Sequence, residues 1–478
     1  MSLARNTSEG AAVPAGRRAW WALAQETEYG LAVPDGGRRQ LAVAWLALAL
    51  ASLIGAGIFS VLLVAARTPY LQHLFPVEDF FRVALVVHVD LSVLVWFSAL
   101  AGVLWSLNSS ARWLALGWAA LAVAALGTLI MSVAPFLGSA MPVTSNYIPV
   151  LDDARFLTGL GIFGAGVALL TLRSLAAVPP VGTRPDGAAS LRFGLNAAAV
   201  SAAVAALAFG WSWLAVPAHL PSRAFYDVAF WGGGHVIQFT FTLLMLVAWL
   251  WLASACGARV PLTPRVALLM FAIALASVFL IPVIYLAYEV TSVEHRRLMT
   301  WLMQSGGGLA ILPVGLAVVI GLARARAAPD EAKPLRAALI SSLVLFSAGG
   351  AIGFTIEGAN VRIPAHYHGS IVGVTLALMG LVYLLLPRLG LGSPSARLAT
   401  LQPYLYGFGQ LLHVAGLMWS GGYGVQRKVA GAGQVLRTTE EIVGMGIMGL
   451  GGLIAVVGGL LFVIVVAQAM WRGRGGSR

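Results

Sequence analysis

Apolar stretches long enough to cross a bilayer recur along almost the whole chain, and this constrains the fold more than any single motif. A hydrocarbon core needs about 20 consecutive apolar residues in helical form. Such spans run at 41–66, 81–107, 112–136, 154–178, 189–216, 228–256, 264–288, 298–324, 335–357, 363–386, 400–421 and 440–470. With 59% hydrophobic and only 10% charged residues, the 478-residue chain is expected to be an all-α integral membrane protein of about twelve transmembrane helices. Residues 1–40 are polar and lack the apolar core and cleavage site of a signal peptide, so they read as a cytoplasmic extension. The membrane domain is then 41–470, and 471–478 is a short cytoplasmic tail. No short-period repeat is visible.

The net charge of +12 fits a topology signal and requires no nucleic acid. With the N-terminus inside, the inner segments hold Arg5, Arg17, Arg18, Arg38, Arg39, Arg112, Arg173, Arg184, Arg192, Arg259, Arg265, Arg324, Arg326, Lys333, Arg336, Arg388, Arg397, Arg472, Arg474 and Arg478, which is 20 of the 30 basic residues. Both termini are therefore expected to be cytoplasmic, in a prokaryotic inner membrane. The single cysteine, Cys256, excludes an internal disulfide, a thiolate metal cluster and covalent haem attachment through C-x-x-C-H.

The tenth span opens with two histidines one residue apart, in VRIPAHYHGSIVGVTLALMG. On a helix, positions i and i+2 point about 200° apart, so His366 and His368 face opposite ways and do not share one metal ion. Two imidazoles on opposite sides of one helix suit two separate large cofactors, and haem iron takes histidine as an axial ligand. A lone histidine near a membrane interface is more simply a polar anchor. Here, however, His88 in the second span and His235 in the sixth lie near the same end of their helices as the tenth-span pair. Four of the eight histidines thus fall in one layer, which random anchoring would not produce.

Gly232, Gly233 and Gly234 before His235, and Gly369 after His368, leave room for a flat macrocycle or for a neighbouring helix. Beyond the eleventh span, GGYGVQRKVAG places Arg427 and Lys428 side by side, either as partners for anionic haem propionates or as a solvated loop charge pair.

Taken as a set, these residues resemble subunit I of the haem-copper oxidase superfamily, which includes cytochrome oxidases and nitric oxide reductases. The resemblance covers nearly the whole membrane region and implies that superfamily's helical bundle. It implies His88 and His368 as axial ligands of a low-spin haem, His366 as the ligand of a high-spin haem, and His235 as a ligand of the distal metal facing it. Arg427 and Lys428 match the family's arginine pair at the propionates, with lysine in place of one arginine. Both haems would be non-covalent and of b- or a-type.

The chain also departs from the family pattern. The two adjacent histidines usual in the seventh span are missing from IPVIYLAYEVTSVEHRRLMTW, where Tyr285, Tyr288 and Glu289 lie near the expected place and Glu294 and His295 follow. The position four residues after the sixth-span histidine, often a tyrosine in oxidases, is Phe239. Either His235 holds the distal metal with carboxylate or phenolate oxygens, or that metal is lost. Mixed carboxylate and imidazole ligands suit non-haem iron, and an all-imidazole set suits copper. His235 with Glu289 therefore tilts the reading toward nitric oxide reduction, while Tyr285 or Tyr288 keeps oxygen reduction open.

Neither the sixth span nor the eighth contains a lysine or carboxylate within its length, so protons are expected to arrive from outside. Asp90 beside His88 is read either as part of that supply or as a structural hydrogen-bond partner. The chain has neither a cupredoxin ligand set nor a covalent haem motif, so electrons are expected from a cupredoxin-like or cytochrome c-like partner, with NO or O2 as substrate and lipid as surroundings. A rival reading is a haem-binding membrane protein without terminal-reductase activity.

Overall fold

The computed structural model describes residues 27–67, 80–138, 141–183, 185–427 and 436–475. Arg5, Arg17, Arg18, Arg184, Lys428 and Arg478 lie outside these residues, as do the ends of both terminal segments. Twelve long helices follow one another among the described residues: α1 Gly37–Arg67, α2 Phe80–Asn108, α3 Leu114–Phe136, α4 Ala154–Ala176, α5 Gly187–Ala215, α6 Trp231–Ala255, α7 Pro264–Ala287, α8 Val293–Arg324, α9 Asp330–Gly353, α10 Arg362–Arg388, α11 Ala396–Gly422 and α12 Thr439–Gly475. Eleven are both long and apolar enough to span a membrane. The exception, α11, has the length but carries Arg397, Gln402, Gln410 and His413 along its course. The expected bundle of about twelve helices is therefore present.

Burial divides the helices into a centre and a periphery. In α6 and α10, 89% of the most apolar window is buried within the protein, against 33% in α3, α4 and α12. The two central helices are those that carry His235 and the His366/His368 pair. Small residues let neighbouring helices approach them: a Cβ added to Gly369 on α10 would come within 2.6 Å of the Gly349 Cα on α9. Any larger side chain there would push the two helices apart.

Helix ends are set by local chemistry. Thr263 accepts from the Val266 N–H with Pro264 in the first turn of α7, and Asp186 accepts from the Ala189 N–H at the start of α5. Asp153 caps α4 by accepting from the Arg155 and Phe156 N–H groups, and the Arg155 guanidinium holds its carboxyl below the usual carboxylate range. At α8 the cap is Ser292, whose Oγ accepts from the His295 N–H at 3.1 Å. This cap starts α8 five residues before the apolar run begins at 298, so Glu294 and His295 belong to a helix and not to a loop.

Two irregularities bear on the histidine layer. Immediately after His88, residues Asp90–Val95 wind as a π-helix inside α2, with the Trp96 N–H reaching back to the Leu91 carbonyl. Between α3 and α4 a small hairpin pairs β1 Met141–Val143 with β2 Val150–Asp152, register Val143↔Val150. Its tip is pinned to a short helix, Ser222–Ala229, that precedes α6. The Asn146 N–H donates to Asp227 at 2.8 Å, and Asp152 accepts from Ser222 Oγ at 2.6 Å and from the Tyr226 hydroxyl at 3.0 Å.

Candidate functional site

The histidine layer separates into three environments. His88 on α2 donates Nδ1–H to the Ala56 carbonyl of α1 at 2.9 Å, with Ser60 Oγ at 3.0 Å from the same nitrogen. His366 on α10 donates Nδ1–H to the Gly349 carbonyl of α9 at 2.7 Å. His235 on α6 donates Nδ1–H to the Trp231 carbonyl of its own preceding turn at 2.7 Å. A carbonyl only accepts, so all three rings carry the proton on Nδ1 and present Nε2 as the lone-pair nitrogen. Metal-ligating histidines are usually prepared in this way, with the far nitrogen fixed by a hydrogen bond.

The opposed directions expected of the tenth-span pair are realised. While His366 turns toward α9, His368 turns toward α11, where its ring meets His413 edge-on at 4.7 Å. His368 is also within electrostatic reach of His88, so α2 and α10 bring together the two residues expected at the low-spin haem. His413, whose Nδ1–H donates to the Met448 carbonyl at 2.9 Å, was not legible as a member of this group.

The surroundings fit a planar cofactor at this place. His88, His366 and His368 are half-buried and Tyr367 is 42% exposed, so their rings are not enclosed by protein on every side. Arg427 lies within electrostatic reach of Tyr367, and the loop carrying it is tied down where the Val361 N–H donates to the Val425 carbonyl at 2.9 Å. That loop thus sits over the start of α10, where propionates of a cofactor held by His366 or His368 would need cations. Lys428 lies outside the described residues. Arg362 at the first turn of α10 adds a second cation, its Nε buried without a partner.

The distal side is built differently from the sequence expectation. His235 is 3% exposed, and its Nε2 is hydrogen-bonded to the Tyr147 hydroxyl at 2.8 Å. Tyr147 sits at the hairpin tip with φ of 70°, a left-handed conformation that is costly for a bulky aromatic residue. It is held there by the Asn146 and Asp152 anchors, and its ring lies against Gly234, where a Cβ would collide with it. A metal ion on His235 would have to replace the Tyr147 hydroxyl or include its oxygen.

The seventh-span candidates lie apart from that pair. Tyr285 is buried, its hydroxyl donating to the Ala208 carbonyl at 3.0 Å and lying 2.7 Å from Ser212 Oγ. Tyr288 and Glu289 are exposed, because α7 ends at Ala287 and Tyr288 turns into extended backbone. All three line an open cavity of about 550 Å³ with Trp211 and Thr291. No described hydrogen bond or ion pair joins Glu289 to His235. Among the described residues, no three His, Cys, Asp or Glu side chains gather so that they could hold a metal ion.

Other buried polar groups accompany this arrangement. His295 is fully buried and its ring stands edge-on to Tyr285 at 4.8 Å, with neither ring nitrogen hydrogen-bonded. Asp90 is 1% exposed with Oδ2 unpartnered, so that oxygen does not serve as a structural hydrogen-bond acceptor among the described residues.

Residues 40–461 match the family model for cytochrome c and quinol oxidase polypeptide I. An uncharacterised protein of Rickettsia prowazekii is 29% identical over 505 residues, covering 90% of this chain and 96% of its own length. One from Aquifex aeolicus is 28% identical over 350 residues, covering 72% of this chain and 84% of its own.

Proposed function

Because the chain belongs to the cytochrome c and quinol oxidase polypeptide I family, and so is a membrane catalytic subunit of the haem-copper oxidase superfamily, we propose that it is a terminal reductase that reduces oxygen to water, with the Tyr147 phenol beside His235. The observation that carries the haem arrangement is the divergence of His366 toward α9 from His368 toward His88 and His413. His88 and His368 would hold a low-spin haem and His366 a high-spin haem, with His88 and His366 each presenting an Nε2 lone pair. When bound, the two haems supply the one-electron chemistry that a reducible gas such as NO or O2 requires.

The chain's own residues do the rest. Arg427 and Arg362, with Lys428, balance the propionate charge at the histidine end of the bundle. His235 and Tyr147 close the face opposite His366, and the phenol holds a proton 2.8 Å from the imidazole. Protons enter from outside through the cavity that Tyr285, Tyr288 and Glu289 line. Electrons come from a cupredoxin-like or cytochrome c-like partner.

Nitric oxide reduction is the alternative substrate reading, and it loses the support of Glu289, which is exposed and lies apart from His235. A second functional class, a haem-binding membrane protein without terminal-reductase activity, draws on the lack of a three-residue metal cluster among the described residues. Turnover of the purified complex with NO under anaerobic conditions and with O2 in air decides among the three. O2 consumption is the expected result, N2O formation supports the nitric oxide reductase, and two haems with neither activity support the carrier.

A further inference from the structure

The ring of His368 differs from the other histidines of the layer in what holds it. His88 and His366 each donate Nδ1–H to a carbonyl of a neighbouring helix, whereas neither ring nitrogen of His368 forms a hydrogen bond among the described residues. An imidazole without such a bond has a free choice of tautomer and little to stop its rotation about the Cβ–Cγ bond, while ligating histidines are ordinarily fixed in both respects. The His368 ring touches two others, that of the adjacent Tyr367 at 5.2 Å and that of His413 at 4.7 Å, the second with 65° between the planes.

His413 is itself held in place by a seam of glycines. On α12, Gly444, Gly451 and Gly458 recur every seven residues, about two helical turns, and a Cβ at each would collide in turn with Ser420, the His413 backbone and the Tyr406 backbone of α11, which recur at the same interval. The two antiparallel helices therefore touch along this seam, and a shift of either by one residue would drive side chains into the opposing backbone. Their register brings the Met448 carbonyl to the His413 Nδ1–H at 2.9 Å. Gly452 leaves just enough room for the ring, since a Cβ there would come within 3.3 Å of Nδ1. A ring pinned in this way gives His368 a fixed neighbour.

We propose that His413 is a positioning residue for the low-spin haem, its pinned ring setting the plane of the His368 imidazole. Two planar rings in edge-on contact do not turn independently, and the contact itself is favourable at this separation. His413 thus does for His368 what a backbone carbonyl does for His88 and His366, and it acts through His368 without a bond to the cofactor. The angle between two axial imidazole planes governs the splitting of the iron d orbitals, and so the g values of an oxidised low-spin haem. This role rests on the haem arrangement proposed above, in which His368 is an axial ligand.

Electron paramagnetic resonance of the oxidised, haem-loaded complex reads that angle, with haem content taken from the optical spectrum. His413→Leu, which fills the volume without a flat ring, should keep both haems and should shift and broaden the highest g value of the low-spin signal. His413→Phe, which keeps a ring at the same place, should stay near the wild-type position. An unchanged signal in His413→Leu overturns the proposal. A shift in His413→Phe as large as that in His413→Leu also overturns it, because the lost nitrogens and not the ring would then be the cause. Loss of the low-spin haem from assembled His413→Leu would make His413 a ligand in its own right, with the same consequence. If His413→Leu fails to assemble, Gly452→Ala presses on the ring while retaining it and should move the same signal; no movement there counts against the role. Absence of a low-spin haem from the wild type would instead refute the haem arrangement on which the proposal rests.

Discussion

Replacing Tyr147 with phenylalanine isolates a single interaction, because the ring contacts with His235 and Trp231 and the left-handed backbone are common to both residues. What disappears is the hydroxyl 2.8 Å from His235 Nε2. His235 is 3% exposed and its Nδ1 is already committed to the Trp231 carbonyl, so Nε2 becomes a buried acceptor without a donor. Leaving such a group unsatisfied costs about 1–3 kcal/mol, roughly a five- to 150-fold change in the unfolding equilibrium. The same substitution in a His235→Leu background removes a hydroxyl that has no partner left, and its cost should fall to within about 0.5 kcal/mol. Reversible unfolding in mixed micelles, with chelator present so that no metal competes for Nε2, measures the four corners of this cycle. Equal losses in both backgrounds would mean that the Tyr147 hydroxyl acts elsewhere, and its position at the distal pocket would have to be abandoned.

The remaining expectations concern the cofactors and proton entry. His88→Ala and His368→Ala should each abolish the low-spin haem spectrum and leave a high-spin haem, and loss of both haems from folded His88→Ala would contradict the arrangement. Arg427→Gln should lower the haem reduction potentials in a spectroelectrochemical titration, because a nearby fixed positive charge favours the added electron; unchanged potentials would remove Arg427 from the propionates. Glu289→Gln should leave metal content unchanged and reduce turnover by less than the ~10²-fold expected of a direct proton donor, since water in an open cavity substitutes for it. Loss of the metal in that variant would return Glu289 to the coordination shell.

Length and composition were enough to read the helices, because a span of apolar residues has few other solutions, and helix geometry alone makes His366 and His368 diverge. The sequence places Glu289 near the missing ligands, but the extended backbone at Tyr288, directly after the last helical residue Ala287, leaves the Glu289 side chain exposed. His295 was obscured by its neighbours Glu294, Arg296 and Arg297, which give the segment the polarity of a loop. The signal that could have found it is the stripe it begins with Met299, Leu302 and Gly306. Tyr147 had no such signal. Its place depends on a hairpin tip, a left-handed backbone and hydrogen bonds to Asp227, Ser222 and Tyr226 by residues beside it, none of which follows from local pattern.

The π-helical stretch after His88 has a consequence for how the length of α2 can change. A π turn accommodates one more residue than the α-helix around it, as an insertion absorbed without rotating the flanks. Removing one residue within Asp90–Val95 would restore ordinary winding there and leave both His88 and the Trp96–Asn108 segment facing their present neighbours. The same deletion a turn earlier or later would rotate everything beyond it by about 100°. This stretch is therefore where α2 can record the loss of a residue while the histidine stays on its side of the bundle.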